Sequence, residues 1–99
     1  ILTGNHIGAQ QAKEIGLVND VCDPEELEAM VLKVAGTMCK RGPLALQHAI
    51  DAVIRGGDCT LAEGLAIEAD LFGVTSSTDD MREGMQAFLD KRTPDFQGR

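Results

Sequence analysis

Five carboxylates lie close enough to one another in the sequence to suggest acid–base chemistry. They form two groups, Glu63 with Glu68 and Asp79 with Asp80 and Glu83. Paired acids can exchange protons with a substrate when burial separates their pKa values. Two residues five positions apart on a helix do not share a face, however. The second group lies where a helix is expected to begin, and a helix N-terminus stabilises negative charge. We therefore interpret both groups as structural.

The histidines and cysteines form no stronger constellation. His6 and His48 are far apart and match no HxxxH or HExxH spacing, and Cys22, Cys39 and Cys59 form no CxxC pair. The sequence also lacks a GxSxG elbow, a P-loop and a dinucleotide-binding glycine motif. We predict no catalytic set and no metal site within these residues. The cysteines are expected to be the reduced thiols of a cytosolic protein.

Composition limits the kinds of partner. The 99 residues carry a formal net charge of −7, which argues against a nucleic-acid surface or an anionic membrane as a partner. No apolar run approaches the roughly 20 residues of a membrane span, and no secretory leader is visible. The length allows one domain at most. We expect a cytoplasmic protein with no nucleic-acid and no membrane partner.

The clearest structural signal lies between residues 60 and 92, where two helices joined by a polar elbow are predicted. Thr60 with Glu63 forms a capping box that begins the first helix. Hydroxyl side chains at 76–78 end it, and the second or third of them caps the next helix. The Lys91–Arg92 pair is expected in the last turn of that second helix, where cations are favoured. This helical hairpin is predicted to organise the chain.

The same reasoning predicts three more helices and one strand upstream. The helices are a short one from Ala9 to Ile15, one from Asp23–Pro24 to the 40–42 region, and one from Pro43 to Gly56–Gly57. The run LVNDV at 17–21 is the only strand-like segment, and no partner strand is evident. The predicted fold class is therefore mainly α, with about five helices and one short strand.

Four stretches resemble one protein family, in that family's order. They are LTGNHIGAQQAKEIGLVNDV, GLAIEADLF, TDDMREGMQAFLDKR and the tail DFQGR. They are similar to the C-terminal end of the enoyl-CoA hydratase/isomerase (crotonase) superfamily, most of all to short-chain enoyl-CoA hydratases. The resemblance implies that residues 1–99 are a single C-terminal helical region, of the trimerisation type, without the N-terminal catalytic core. The abrupt apolar start at Ile1 agrees with that expectation.

The resemblance also implies a reaction for the parent enzyme. Related hydratases add water to a trans-2-enoyl-CoA in fatty-acid and acyl-CoA metabolism. Their two glutamates and the two backbone N–H groups of their oxyanion hole all precede the matched segments. The parent is then expected to be a lyase that takes a coenzyme A thioester as substrate and needs no separate cofactor. A homo-oligomer, either a trimer or a dimer of trimers, is expected, and the 99-residue chain alone is expected to be inactive.

Two residues match positions that hold coenzyme A in related hydratases. Phe72, in the LF pattern, corresponds to a residue at the adenine end, and Lys91, in the F-x-x-K-R pattern, to one at the 3′-phosphate, often of a neighbouring subunit. An aromatic ring can stack on a purine, and an ammonium group binds phosphate. The alternatives are that Phe72 belongs to the core and that Lys91 only complements a helix C-terminus. Gly73 departs from the bulky residue of many relatives and is expected to weaken its helix.

Two other functional hypotheses remain open at this point. The chain is alternatively a free-standing acidic helical module that binds a protein partner through an exposed apolar stripe. It is alternatively the same region of a crotonase-family isomerase, dehalogenase or decarboxylase, because the residues that distinguish these reactions lie upstream. The interaction module predicts no affinity for coenzyme A and no dependence on Phe72 or Lys91.

Overall fold

The structure is a computed structural model that describes residues 2–99 and contains five α-helices. The predicted abrupt start at Ile1 lies outside the described residues. The helices are α1 (Ala9–Glu14), α2 (Leu27–Met38), α3 (Pro43–Gly57), α4 (Leu61–Ser76) and α5 (Asp79–Leu89), and a 3-10 turn (Pro24–Glu26) precedes α2. The mainly α class predicted from the sequence is confirmed. The chain divides into two compact units, one up to Lys33 and one from Val34 to Arg99.

The predicted strand is wrong. Residues 17–21 form bends and irregular chain, and no part of the described chain is in a β-strand. The physical reason is the missing partner, because an isolated strand leaves its backbone groups unpaired. In the same unit Gly16 follows the end of α1 and has a left-handed backbone with a φ of 74°, which is typical of glycine at a helix C-terminus. Lys13 then binds Asp20 at 2.7 Å across the irregular segment.

In the second unit α3 and α4 form the closely packed antiparallel pair. His48 lies opposite Thr75 near one end, and Gly56 lies opposite Gly64 near the other. The two glycines bring the backbones together, since a Cβ at Gly64 would lie 3.4 Å from Gly56 Cα. The predicted hairpin of α4 and α5 has the correct helices, but these two helices meet far less extensively than α3 and α4 do. The α3–α4 pair, and not the α4–α5 hairpin, is therefore the most closely packed part of this unit.

The caps of α4 and α5 follow the sequence closely. The Thr60 side chain accepts from the Glu63 N–H, and the Glu63 carboxylate accepts from the Thr60 N–H at 3.0 Å, which confirms the capping box. Thr78 caps α5 by accepting from the Met81 N–H at 3.1 Å. Lys91 is not in the last turn of α5, because the helix ends at Leu89 and no basic residue lies in that turn. A turn of the chain directly after the helix places Lys91 and Arg92 beyond it.

The described chain has a very small core. Only two hydrophobic side chains are buried, those of Ala12 and Ala87, and no large side chain is fully buried. Twenty large hydrophobic residues among residues 2–99 are exposed, and they occur on every helix from α2 to α5. Much of the apolar surface of these helices is therefore uncovered in the described chain.

Candidate functional site

A groove of about 640 Å³ runs between α3 and α4 and carries one of the two predicted contact residues. Phe72 lines this groove, and its side chain is 67% exposed in the described chain. His48, Glu68 and Thr75 supply the polar lining. The remaining lining is mostly apolar, contributed by alanine, leucine, valine and glycine residues. Such a surface suits a flat, largely apolar group better than a strongly charged one.

One polar contact across this groove joins the two helices and defines a tautomer. Nδ1 of His48 lies 2.7 Å from Oγ1 of Thr75, and that hydroxyl is also 2.8 Å from the Leu71 carbonyl oxygen. The hydroxyl has one proton, which it donates to the carbonyl, so we assign Nδ1–H of His48 as the donor to Thr75. His48 is thus a half-buried histidine whose hydrogen bond to Thr75 joins α3 to α4.

A second groove, of about 320 Å³, lies at the start of α5 and is closed on one side by the C-terminal tail. Asp80 is 6% exposed, and its carboxylate accepts from the N–H groups of Gln97 at 2.7 Å and Gly98 at 2.9 Å. The Asp80 N–H in turn donates to the Arg99 carbonyl oxygen at 3.0 Å. The ring of Phe96 lies against Gly84, where a Cβ would be 3.4 Å from it. The carboxylate of Asp80, in the first turn of α5, thus binds the backbone of the C-terminal tail.

Glu83 holds the beginning of the same tail. Its carboxylate receives both terminal nitrogens of Arg92, at 2.6 and 2.8 Å, and the N–H of Asp95 at 2.8 Å. These hydrogen bonds, that from Arg92 foremost, lower the pKa of Glu83 from 4.5 to about 2. The same contact raises the pKa of Arg92. The acids of α5 thus have structural contacts, as the sequence indicated.

Lys91 occupies the turn between α5 and this tail, and it has a left-handed backbone with a φ of 54°. Its N–H donates to the Phe88 carbonyl oxygen at 3.3 Å, and the Arg92 N–H donates to that of Ala87 at 3.0 Å. Together these bonds form a Schellman motif, in which the left-handed position is usually glycine. The side chain of Lys91 is exposed and lines neither groove. The structure therefore does not bring Phe72 and Lys91 together in one pocket.

The remaining acids and possible ligands form no further cluster. Glu63 belongs to the capping box, where the Thr60 hydroxyl and then the Thr60 N–H lower its pKa, and Asp79 pairs with Arg82. Among residues 2–99, no group of three histidine, cysteine or acidic side chains is arranged to hold a metal ion. The three cysteines are free thiols. In the described part of the chain no helix is both long and apolar enough to cross a membrane.

Comparison with known proteins assigns the chain to a family. The family model described as enoyl-CoA hydratase/isomerase matches residues 1–99. The chain belongs to the enoyl-CoA hydratase/isomerase family. This agrees with the resemblance of the four sequence stretches.

Individual members of the enoyl-CoA hydratase/isomerase family support this assignment. The chain is 44% identical over 99 residues to a 2,3-dehydroadipyl-CoA hydratase of Escherichia coli K12, covering 100% of this chain and 39% of that protein. It is 42% identical over 96 residues to a crotonyl-CoA hydratase of Syntrophomonas wolfei, covering 97% of this chain and 37% of the relative. The crystal structure of an enoyl-CoA hydratase from Bacillus anthracis superimposes with a TM-score of 0.95 at 38% identity, covering 100% of this chain and 38% of that one. The chain thus spans about two fifths of the length of these relatives.

Sequence reasoning missed two features of this family member. The first is the docking of the tail on Asp80 and Glu83, which join residues 9 to 18 positions away in the sequence. The second is the close approach of Gly56 and Gly64. A signal for the first existed, because the motif DFQGR was part of the resemblance. Its contacts, however, depend on how the chain turns after α5.

Proposed function

We propose that this chain is the C-terminal helical region of an enoyl-CoA hydratase-type lyase, which adds water to a trans-2-enoyl-CoA in acyl-CoA metabolism. In this proposal the 99 residues supply contacts between subunits and part of the coenzyme A site, and the catalytic groups come from a preceding core. The substrate is a coenzyme A thioester, and no separate cofactor takes part.

The extent of uncovered apolar surface is the observation that carries the proposal. A chain that buries only two hydrophobic side chains and exposes twenty large ones has helix faces suited to cover, or be covered by, other protein. The family match over residues 1–99 supports a hydratase core as what they cover. The chain spans about two fifths of the relatives' length, which also supports a hydratase core as the covered protein. A homo-oligomer, a trimer or a dimer of trimers, is the proposed assembly, and the cytoplasm is its proposed location.

Phe72 and Lys91 are the proposed coenzyme A contacts. The exposed ring of Phe72 in an apolar groove suits stacking on adenine. The exposed ammonium of Lys91, beyond the end of α5, suits the 3′-phosphate. Because Lys91 lies outside the groove that Phe72 lines, the proposal assigns the two contacts to different copies of the chain in the oligomer.

The first experiment measures hydration of crotonyl-CoA by the purified 99-residue chain, followed as loss of the enoyl-thioester absorbance. No turnover is expected, because the proposed carboxylates and oxyanion hole are not among these residues. Turnover that persists after further purification would contradict the proposal and would make Glu68, the acid in the α3–α4 groove, the first residue to replace.

The second experiment separates the hydratase region from an interaction module of no coenzyme A affinity. Titration of the chain with coenzyme A is expected to give saturable binding that Phe72→Ala and Lys91→Ala each weaken. For an exposed charge such as Lys91 the expected loss is about two- to fivefold. The charge-matched control is Lys40→Ala, an exposed lysine in the turn after α2. Absence of binding, or equal losses in all three variants, would favour the interaction module.

A further inference from the structure

The turn after α5 places the charged candidate contact, Lys91, in a backbone conformation that side chains disfavour. Its φ of 54° is positive, and among the non-glycine residues that the structure describes it is the only such value. In a left-handed conformation the Cβ approaches the following carbonyl oxygen, so glycine is the usual residue there. Other contacts must therefore hold Lys91 in place.

Glu83 provides the contacts that close this turn. The residue directly after Lys91 is Arg92, whose guanidinium binds both carboxylate oxygens of Glu83 at 2.6 and 2.8 Å. Further along, the Asp95 N–H donates to the same carboxylate at 2.8 Å. One side chain of α5 thus binds two points of the chain that follows Lys91. A bidentate pair between arginine and a carboxylate fixes both distance and orientation.

A second anchor continues the same path. Asp80 lies one helical turn before Glu83 on α5, and its carboxylate binds the N–H groups of Gln97 and Gly98. Phe96 lies between these anchors, with its ring against Gly84. The tail therefore runs back along α5 toward the start of the helix. This direction requires the chain reversal at Lys91.

The charges around Lys91 leave its ammonium group without a competing carboxylate. Arg92 engages Glu83, and its Nε also lies 3.5 Å from Asp90. Lys91 itself is exposed, and in the described part of the chain it forms no ion pair. Without Arg92 in this position, both acids would be free to pair with Lys91 or to repel a phosphate.

We propose that Glu83 is a positioning residue for Lys91: by binding Arg92 and the Asp95 N–H, it keeps the chain reversal closed and the Lys91 ammonium available to a phosphate group. The phosphate is that of the coenzyme A thioester, so this inference rests on the proposed function. Glu83 does not touch the substrate in this scheme. Its effect passes through the backbone of the turn.

NMR spectroscopy on the 99-residue chain tests the positioning role directly. The test variant is Glu83→Gln, and the charge-matched control is Glu14→Gln, an exposed acid at the end of α1. In the test variant the amide of Arg92, bonded to Ala87, is expected to exchange about two- to fivefold faster, as for loss of an exposed ion pair. The HN–Hα coupling of Lys91 is expected to move away from its left-handed value. The proposal would be overturned if the exchange rate of the Arg92 amide or the HN–Hα coupling of Lys91 stayed as in the wild type.

A double-mutant cycle distinguishes positioning from a merely structural tie. Glycine adopts the left-handed conformation without a Cβ penalty, so Lys91→Gly removes the need for the contact. Glu83→Gln is therefore expected to accelerate Arg92 exchange less in the Lys91→Gly background than in the wild type. Equal acceleration in both backgrounds would mean that Glu83 only holds Arg92, and would overturn the positioning role.

The ligand arm uses adenosine 3′,5′-bisphosphate, the phosphorylated nucleoside end of coenzyme A, at low ionic strength. Glu83→Gln is expected to raise its Kd about two- to fivefold, with the Glu14→Gln control unchanged. An unchanged Kd in a variant whose turn has opened would overturn the proposed effect on phosphate binding. No binding by the wild-type chain would instead overturn the coenzyme A role of Lys91, while the exchange rates would still decide whether Glu83 closes the turn. The two failures are thus distinguishable.

Discussion

Lys91 and Arg92 are adjacent basic residues with different surroundings. Arg92 binds Glu83 through two nitrogens and also approaches Asp90, whereas Lys91 is exposed and left-handed. An arginine fork suits bidentate carboxylate binding, and a lysine ammonium is a flexible point charge. Exchanging the two residues would therefore remove the bidentate contact of Arg92 with Glu83. Arg92 thus has a structural contact with Glu83, whereas Lys91 is only the proposed contact of a phosphate.

Lys91→Gly is expected to raise the free energy of unfolding. Removal of the Cβ from a left-handed position relieves about 1 kcal/mol of strain, less the greater entropy that glycine gains in the unfolded chain. Denaturation in urea measures the change. The matched control is Lys40→Gly, at an exposed lysine whose φ is not positive, and there no stabilisation is expected. Equal effects at both positions would show that the left-handed backbone is not strained.

Stability is expected to fall in acid because of Glu83. Its pKa of about 2 in the folded chain lies below the ordinary 4.5, so folding favours the carboxylate. This contribution is complete above about pH 4.5 and is lost as the pH falls from there toward 2. Urea denaturation at several pH values should show the difference between wild type and Glu83→Gln shrinking through that window. Arg92→Gln removes the main partner and is expected to behave like Glu83→Gln; a difference that stays constant with pH would contradict this.

At the scale of the helices, the caps of α4 and α5 are local features, whereas the packing of α3 on α4 is not. Thr60 and Thr78 cap α4 and α5 with side chains that the sequence identifies directly. The packing of α3 on α4, by contrast, depends on Gly56 and Gly64 meeting across the pair. Within α4, Gly64 faces this contact and Gly73 does not, so the same substitution can be compared at the two positions.

Gly73→Ala is expected to stabilise the chain by up to about 1 kcal/mol, since alanine is the better helix former. A Cβ at Gly73 meets nothing within 4 Å. At Gly64 the same substitution places a Cβ 3.4 Å from Gly56 Cα and 3.5 Å from its carbonyl oxygen, both backbone atoms. Gly64→Ala is therefore expected not to stabilise. Thermal unfolding of the two variants measures the difference, and equal gains would show that the helices separate freely.

At the scale of the whole molecule, uncovered apolar surface dominates. Large hydrophobic side chains such as Leu61, Phe72 and Phe88 are each more than half exposed, whereas Ala87 is only 1% exposed. Helices α2 to α5 each carry large hydrophobic side chains that are exposed in the described chain. We therefore expect these apolar helix faces to bind other protein surface.

Self-association of the 99-residue chain is the expected consequence, because contiguous apolar surface associates in water. Light scattering coupled to size exclusion at micromolar concentration should give a mass above that of one 10.6 kDa chain. Replacement of Phe88, an 83% exposed ring on α5, by serine should shift the mass toward one chain. A single-chain mass for the unmodified protein would contradict the expectation.

The candidate site was only partly predictable from the sequence. Phe72 and Lys91 were identified through the family resemblance, and their role as coenzyme A contacts stays a prediction. The structure adds that Phe72 is exposed in a groove and that Lys91 is left-handed beyond α5. The expected position of Lys91 in the last helical turn was wrong, because α5 ends at Leu89 and Lys91 takes the left-handed position of the turn that follows. The contacts of the tail with Asp80 and Glu83 join residues 9 to 18 positions apart, so neighbouring residues alone do not specify them.

The sequence by itself determined the five helices, the caps of α4 and α5 and the family of this chain, whereas the predicted start at Asp23–Pro24 is a 3-10 turn and α2 begins at Leu27. Capping boxes, proline starts and apolar spacing act within about one helical turn, so neighbouring residues suffice to specify them. Tertiary structure alone decided that 17–21 forms no strand, that Gly56 approaches Gly64, and that Asp80 and Glu83 hold the tail. These outcomes join residues distant in the sequence, and each depends on whether the intervening chain brings its partner within reach.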